Sequence, residues 1–103
     1  MQEEHGYLDR GDGERLAWRR ARGAGPTEVW MGAYRSDMGG TKAVALAEAA
    51  SRRGWDYLRF DWFAHGDSSG RFEDATIGRW REDALAVVDR LTEGPLVVVG
   101  SSM

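Results

Sequence analysis

The 103-residue sequence has no cysteine, only two histidines and no excess of basic charge, and each shortage removes a class of function. Without cysteine there is no disulfide framework, no thiolate nucleophile and no Cys-type zinc site. The histidines, His5 and His65, stand far apart, and no carboxylate–histidine spacing matches a metal motif. A net charge of −3, with acidic residues interleaved among the 14 basic ones, argues against a dedicated nucleic-acid binder, which carries a basic face. No apolar run approaches the roughly 20 residues of a membrane span. The first ten residues, MQEEHGYLDR, lack the basic start and apolar stretch of a secretory signal. They also lack the Arg-rich, acid-poor character of a transit peptide, so the sequence predicts a cytoplasmic chain. What is present is ordinary: 42% hydrophobic and 30% charged residues, in a length that suits one compact domain rather than two.

Residues 5–9 and 15–19, joined through Gly11-Asp12-Gly13, read as a β-hairpin with Leu16 and Trp18 on one face. A loop rich in Gly and Pro follows at 22–26. Residues 28–33, with Val29, Trp30 and Met31 in a row, suit a strand buried on both faces. Residues 41–53 are Ala-rich and place Ala43, Leu46, Ala47 and Ala50 at helical spacing, with Gly54 where a stop is expected. Residues 57–62 alternate like a strand, and a polar, Gly-rich loop covers 63–74. A second helix spans 76–91 with Ile77, Trp80, Ala84, Val88 and Leu91 on one face. Gly94-Pro95 stops it, and residues 96–99 (Leu-Val-Val-Val) form an unbroken apolar strand.

This order predicts an α/β fold: a β-hairpin, then βαβαβ, giving a mostly parallel sheet with helices on both faces. No residues after the last strand supply its cover, which predicts a fold truncated there. Its unpaired edge predicts self-association.

The strongest chemical signal is the turn after that strand. Gly-x-Ser-x-Gly behind an apolar strand is a nucleophile elbow, a sharp strand-to-helix turn that presents a serine hydroxyl. Gly100, Ser101, Ser102 and Met103 supply four of its five positions, and the final Gly would be residue 104. The position two before the nucleophile must be small. Gly100 meets that need for Ser102, whereas Val99 would stand there for Ser101, so Ser102 is the candidate nucleophile.

Acyl transfer also needs oxyanion donors, one from the residue after the nucleophile and one from a loop after an earlier strand. Met103 offers the first backbone N–H, and the loop 32–37 (Gly-Ala-Tyr-Arg-Ser-Asp) offers the second. His65, inside Asp61-Trp-Phe-Ala-His-Gly-Asp-Ser-Ser69, has Asp67 and Ser68 beside it, but sequence neighbours do not reach a triad geometry by adjacency. A loop-structuring role is favoured for it. Phosphate loops are excluded: Lys42 precedes Ala43 rather than Ser or Thr, and Leu16 stands where a dinucleotide fingerprint needs Gly. Core packing accounts for the five tryptophans.

Together, Gly-Ala-Tyr-Arg-Ser-Asp-Met-Gly-Gly-Thr-Lys-Ala (32–43), Arg-Phe-Asp-Trp-Phe-Ala-His-Gly-Asp-Ser-Ser-Gly-Arg-Phe-Glu-Asp (59–74), Thr-Ile-Gly-Arg-Trp (76–80) and Gly-Ser-Ser-Met (100–103) resemble α/β-hydrolases. More narrowly, the chain is similar to bacterial relatives of the mitochondrial palmitoyl-protein thioesterase and acyl-glucuronide esterase. The resemblance runs from about residue 7 to the end. It implies that residues 1–103 are a partial domain, the N-terminal half of the α/β-hydrolase fold, truncated at the nucleophile elbow. It further implies Ser102 as nucleophile and the backbone N–H groups of Tyr34 and Met103 as oxyanion hole, with Ala33 the alternative to Tyr34. The triad acid and histidine would follow the serine and are absent from this sequence. Trp62 stands where the family is expected to carry Tyr, a change of packing rather than chemistry.

The implied activity is hydrolysis of a carboxylic ester or thioester through an acyl-enzyme, with a small acyl ester or thioester as partner. No cofactor or metal is implied. These 103 residues alone are expected to be inactive, and a separate chain carrying the C-terminal half is a further partner option. The alternative reading is a non-catalytic α/β-hydrolase-like module that binds a small acyl ligand or a protein. A flavodoxin-like domain would need phosphate-loop signals that the sequence lacks.

Overall fold

The computed structural model describes residues 3–33 and 35–100. Five strands and two helices follow one another as β1 (Glu3–Asp9), β2 (Arg15–Ala21), β3 (Thr27–Met31), α1 (Thr41–Arg53), β4 (Asp56–Phe60), α2 (Ile77–Leu91) and β5 (Leu96–Gly100), with a short 3₁₀ turn at Phe72–Asp74. The strands form one sheet in the order β1-β2-β4-β3-β5. It is mixed: the β1–β2 and β2–β4 ladders are antiparallel, and β3 pairs in parallel with both β4 and β5. The expected hairpin and βαβαβ order are both present.

Both crossovers start and end on parallel strands, but they run in opposite directions along the sheet. From β3 the chain moves through α1 to β4. From β4 it returns through α2, past β3, to β5. Connections of one hand that run in opposite directions place their helices on opposite faces. The core divides accordingly. Val29, Leu58 and Phe60 pack with Trp80 and Val87 of α2. Their sequence neighbours Trp30 and Tyr57 pack with Ala43 and Ala50 of α1 on the other face.

Helix α1 has the predicted bounds. Gly54 ends it at φ 72°, donating its N–H to the Ala50 and Ser51 carbonyls, and Arg52 and Arg53 complement the carbonyl end. Helix α2 starts at Thr76, whose hydroxyl accepts the Arg79 N–H at 3.0 Å. Its inward face includes Trp80, Ala84 and Leu91 as expected, but differs from expectation elsewhere. Ile77 is exposed, and the buried positions are Trp80, Asp83 and Val87. A fully buried aspartate at the centre of the helix is what the apolar periodicity could not foresee. Strand β4 also departs from expectation: all five of its residues are buried, with no alternation. It lies between β2 and β3 under both helices, and its polar members are paired. Asp56 accepts from Arg20 (Nε–Oδ2 3.0 Å) and Thr27 (2.9 Å), while Arg59 donates to the Met38 carbonyl (2.7 Å) and to Glu3.

Candidate functional site

The carboxyl ends of β3, β4 and β5 point the same way, and the loops leaving them gather there. In the parallel β3–β5 ladder Met31 is in register with Gly100. The strand order reverses at β3, and the crevice at such a reversal is where open α/β sheets place ligands.

The loop after β3 is held at several points. The Gly32 carbonyl accepts the Trp62 indole N–H at 2.9 Å. The Ala33 carbonyl accepts both the Ser36 N–H (3.1 Å) and the Ser36 hydroxyl (2.7 Å), closing a turn. Arg35 sits in that turn at φ 61°, the left-handed region that a non-glycine residue enters only when its surroundings hold it there. Its N–H donates to His65 Nε2 at 2.9 Å. That bond puts the ring proton of His65 on Nδ1, which lies 3.1 Å from the Phe63 carbonyl oxygen. His65 is 4% exposed and packs edge-on against Trp80, with ring centroids 5.3 Å apart. Both ring nitrogens are engaged with backbone, so His65 has the loop-structuring role expected of it.

The loop after β4 completes the sheet where a strand stops. β2 pairs with β1 along its whole length but with β4 only from Trp18 to Ala21, leaving Arg15 and Ala17 without a strand partner on the β4 side. The loop supplies one. Ser68 Oγ accepts the Ala17 N–H (2.8 Å) and donates to the Asp61 carbonyl (2.6 Å), the Asp61 N–H reaches the Ala17 carbonyl (2.9 Å), and Ser69 Oγ accepts the Arg15 N–H (2.7 Å). The neighbouring Asp, His and Ser of this segment are therefore architectural.

Two buried carboxylates join the loops. Asp61 accepts the Met38 N–H through Oδ1 (2.7 Å) and the Asp67 N–H through Oδ2 (2.9 Å). Gly66, at φ 47°, is obligatory beneath it, because a Cβ there would lie 2.2 Å from Oδ2. Burial pushes the Asp61 carboxyl above its ordinary pKa, against the two N–H bonds that favour the anion. Asp83 accepts the Phe63 N–H (2.8 Å) and pairs with Arg10. Burial raises its pKa as well, opposed by the Phe63 N–H and Arg10. Sequence reading passed over Asp61, Asp83 and the Trp62 indole. The one available signal was their type: an aspartate inside an apolar helix face needs a buried partner.

Between the two loops lies a cleft of about 410 Å³ lined by Arg35, Asp37, His65, Phe72 and Glu73 among others. The Arg35 guanidinium stands 4.5 Å over the Phe72 ring. Ala64, at φ 66°, is the second non-glycine residue in the left-handed region, and it also lines this cleft. Among the described residues no three His, Asp or Glu side chains group to hold a metal ion, and no helix is long and apolar enough to cross a membrane. The predicted nucleophile Ser102 and the oxyanion residues Tyr34 and Met103 lie outside the described residues, as does Ser101. The neighbours of Tyr34 and the strand leading to Ser102 are described.

A sheet ordered 1-2-4-3-5, with helices on both faces and loops converging at the ends of β3 and β5, is the N-terminal part of the α/β-hydrolase fold, and the chain is similar to members of that superfamily in both structure and sequence. The mouse α/β-hydrolase domain-containing protein 10 superposes with a TM-score of 0.92 at 37% identity, covering 96% of this chain and 40% of its own. A hydrolase of Agrobacterium vitis superposes with a TM-score of 0.87 at 40% identity, covering 99% of this chain and 41% of its own. In sequence, the mitochondrial palmitoyl-protein thioesterase ABHD10 of Bos taurus is 42% identical over 97 residues, 94% of this chain. The chain spans about a third of the length of that relative, 32%. No family-wide sequence profile matches it. The bovine relative is named as a thioesterase and the mouse protein by its α/β-hydrolase domain.

The expectation of a cytoplasmic chain is overturned: the curated relatives are mitochondrial. The inference failed because the residues that direct a protein to a compartment need not belong to the folded domain, so the composition of that domain's first strand carries no address.

Proposed function

We propose that residues 1–103 form the N-terminal part of a serine hydrolase that cleaves carboxylic esters or thioesters through an acyl-enzyme. Ser102 attacks the carbonyl carbon. The backbone N–H groups of Met103 and of Tyr34, or Ala33 beside it, hold the oxyanion. The observation that carries this reading is the register of Met31 with Gly100. It ends β3 and β5 side by side at the carboxyl end of the sheet, which supports a nucleophile and its oxyanion donor drawn from the segments that follow these two strands.

The described contacts support the division of labour. On the loop after β3 the Arg35 N–H is committed to His65, and the Gly32 and Ala33 carbonyls are tied back to Trp62 and Ser36. The base comes from residues beyond 103. His65 uses both ring nitrogens on backbone, and His5 lies on β1, at the sheet edge opposite β5. A serine without a base is a poor nucleophile near neutral pH. Expressed alone, these residues are then inactive.

A fluorophosphonate probe applied to the product of the complete reading frame tests the assignment. Labelling is expected on Ser102 and absent from Ser102→Ala. Labelling that survives Ser102→Ala and disappears in Ser101→Ala would overturn it.

A further inference from the structure

His65 joins two loops that are held with unequal firmness. On its own loop the surrounding backbone is fixed. The His65 N–H donates to the Trp62 carbonyl (2.9 Å), its carbonyl accepts the Ser68 N–H (2.9 Å), and the Ala64 N–H reaches the Ser69 carbonyl (2.8 Å). One end of the ring is fixed as well. The Phe63 carbonyl accepts both the Trp80 indole N–H (3.0 Å) and the His65 Nδ1 proton (3.1 Å), which fills its two lone pairs. At the other end Nε2 accepts the Arg35 N–H, and that bond needs a bare lone pair on the nitrogen. Across it stands a strained turn. Arg35 keeps its φ of 61° through the Ser36 bonds to the Ala33 carbonyl and through its own bond to His65.

We infer that His65 is a proton-operated latch on this turn: neutral, it holds Arg35 in the left-handed conformation, and protonated at Nε2 it lets the turn relax. The inference goes beyond the hydrolase reading and does not depend on it. With a proton on each ring nitrogen His65 has donors only, so Nε2–H and the Arg35 N–H would face each other and the bond is lost. A proton therefore binds the released turn in preference to the latched one, and that difference is what shifts a two-state equilibrium.

The charges around the ring act in the same direction. The Arg35 guanidinium lies 4.5 Å over Phe72, whose ring centroid is 5.8 Å from that of His65, so an imidazolium is repelled by the very residue it releases. Asp37 and Glu73 line the same cleft and offer the new Nε2–H a carboxylate acceptor. Asp61 and Asp67, on the loop of His65 itself, are joined to each other through the Asp67 N–H. On the α2 side, behind Phe63, Asp83 is paired with Arg10, and Arg79 lies over the Phe63 ring. The change stays local, because Met38 remains tied to Asp61. The cleft keeps its His65 wall and alters its Arg35 wall.

The test uses the isotope-labelled product of the complete reading frame, taken from about pH 8 to about pH 5. The ring nitrogens of His65 should report the Nδ1–H tautomer at the upper end and the doubly protonated ring at the lower. As the ring protonates, the exchange protection of the Arg35 amide, corrected for its intrinsic rate, should fall by roughly 10-fold, the scale of one lost hydrogen bond. The Met38 amide should keep its protection. His65→Gln puts a non-titrating amide oxygen within reach of the Arg35 N–H and should keep it protected across the range. His65→Asn keeps a donor for the Phe63 carbonyl but no acceptor for Arg35, and should leave that amide unprotected throughout.

Arg35 protection that survives protonation of His65, or a ring that stays neutral down to about pH 5, would overturn the latch. An equal acid loss in His65→Gln would also overturn it, by moving the switch to Asp37 or Glu73. Simultaneous loss of Arg35 and Met38 protection would do the same, since it marks acid unfolding of the whole loop. If neither variant folds, the wild-type titration alone decides. The hydrolase reading is judged separately, by the fluorophosphonate labelling.

Discussion

Two strands flank β3 in parallel register, β4 with the sequence Asp-Tyr-Leu-Arg-Phe and β5 with Leu-Val-Val-Val-Gly. Hydrophobicity alone would bury β5 and leave β4 half wet. Within the described residues, in a chain spanning about a third of its bovine relative, the reverse holds. All five residues of β4 are buried, whereas Val97 and Val98 of β5 are 39% and 49% exposed. β4 has a neighbour on each edge and a helix on each face. β5 pairs with β3 alone among the described strands. Burial is thus set by place in the sheet, and side-chain type must accommodate it. Asp56 and Arg59 do so by pairing, Asp56 with Arg20 and Thr27, and Arg59 with Glu3 and the Met38 carbonyl.

The comparison breaks first at Asp56. Asp56→Ala leaves Arg20 without its carboxylate in a buried place, and a loss of about 3–5 kcal/mol is expected in urea unfolding. A loss near zero would mean that β4 owes its burial to neither pair. Next comes Ser68→Ala, which strips partners from the Ala17 N–H and the Asp61 carbonyl where β2 outruns β4. About 1–3 kcal/mol should be lost, and amide exchange at Ala17 should accelerate.

The pH dependence sharpens the same contrast. Burial alone would raise the Asp56 carboxyl, but its bonds to Arg20 and Thr27 hold it below its ordinary 3.8. Its stabilisation is therefore present above 3.8 and lost as the pH falls through the lowered folded value. Asp83 is raised by burial, so its contribution has the opposite sign, and stability declines as the pH climbs from 3.8 through the raised value. Asp56→Asn should flatten the acid-side loss, and Asp83→Asn the decline above it, both read as unfolding midpoints against pH.

The smallest stability effect belongs to β5. Val98→Lys places a charge where the side chain is already half exposed, and should change stability by less than about 0.5 kcal/mol. It should nonetheless suppress self-association of the 103-residue chain in sedimentation, since charge on an edge strand blocks pairing between molecules. A large stability loss here would show that β5 is held more tightly than its contacts indicate.

Much of this architecture is legible in the sequence, for reasons that can be named. The bounds of α1 follow from its alanine spacing and Gly54, because one amphipathic helix with a glycine stop leaves few alternatives. The hairpin follows from Gly11 and Gly13, both at positive φ. On α2 the inward Trp80, Ala84 and Leu91 follow from the periodicity, but the burial of Asp83 does not, because it rests on a backbone N–H donated from twenty residues earlier and an arginine in the hairpin turn, neither visible in a local window. The burial of Arg59 is hidden for the same reason. At the site, the sequence reading rightly sets aside a triad of His65 with its neighbours, yet does not foresee that Ser68 and Ser69 serve as substitute strand partners for β2. That role depends on β2 outrunning β4, a fact of register rather than of composition.

The Asp61 carboxylate grips the loop after β3 with one oxygen and the loop after β4 with the other. A single side chain thereby removes an independent degree of freedom: neither loop can swing outward without tearing a buried N–H from the same anion. The mouth of the crevice behaves as one jaw with a fixed set.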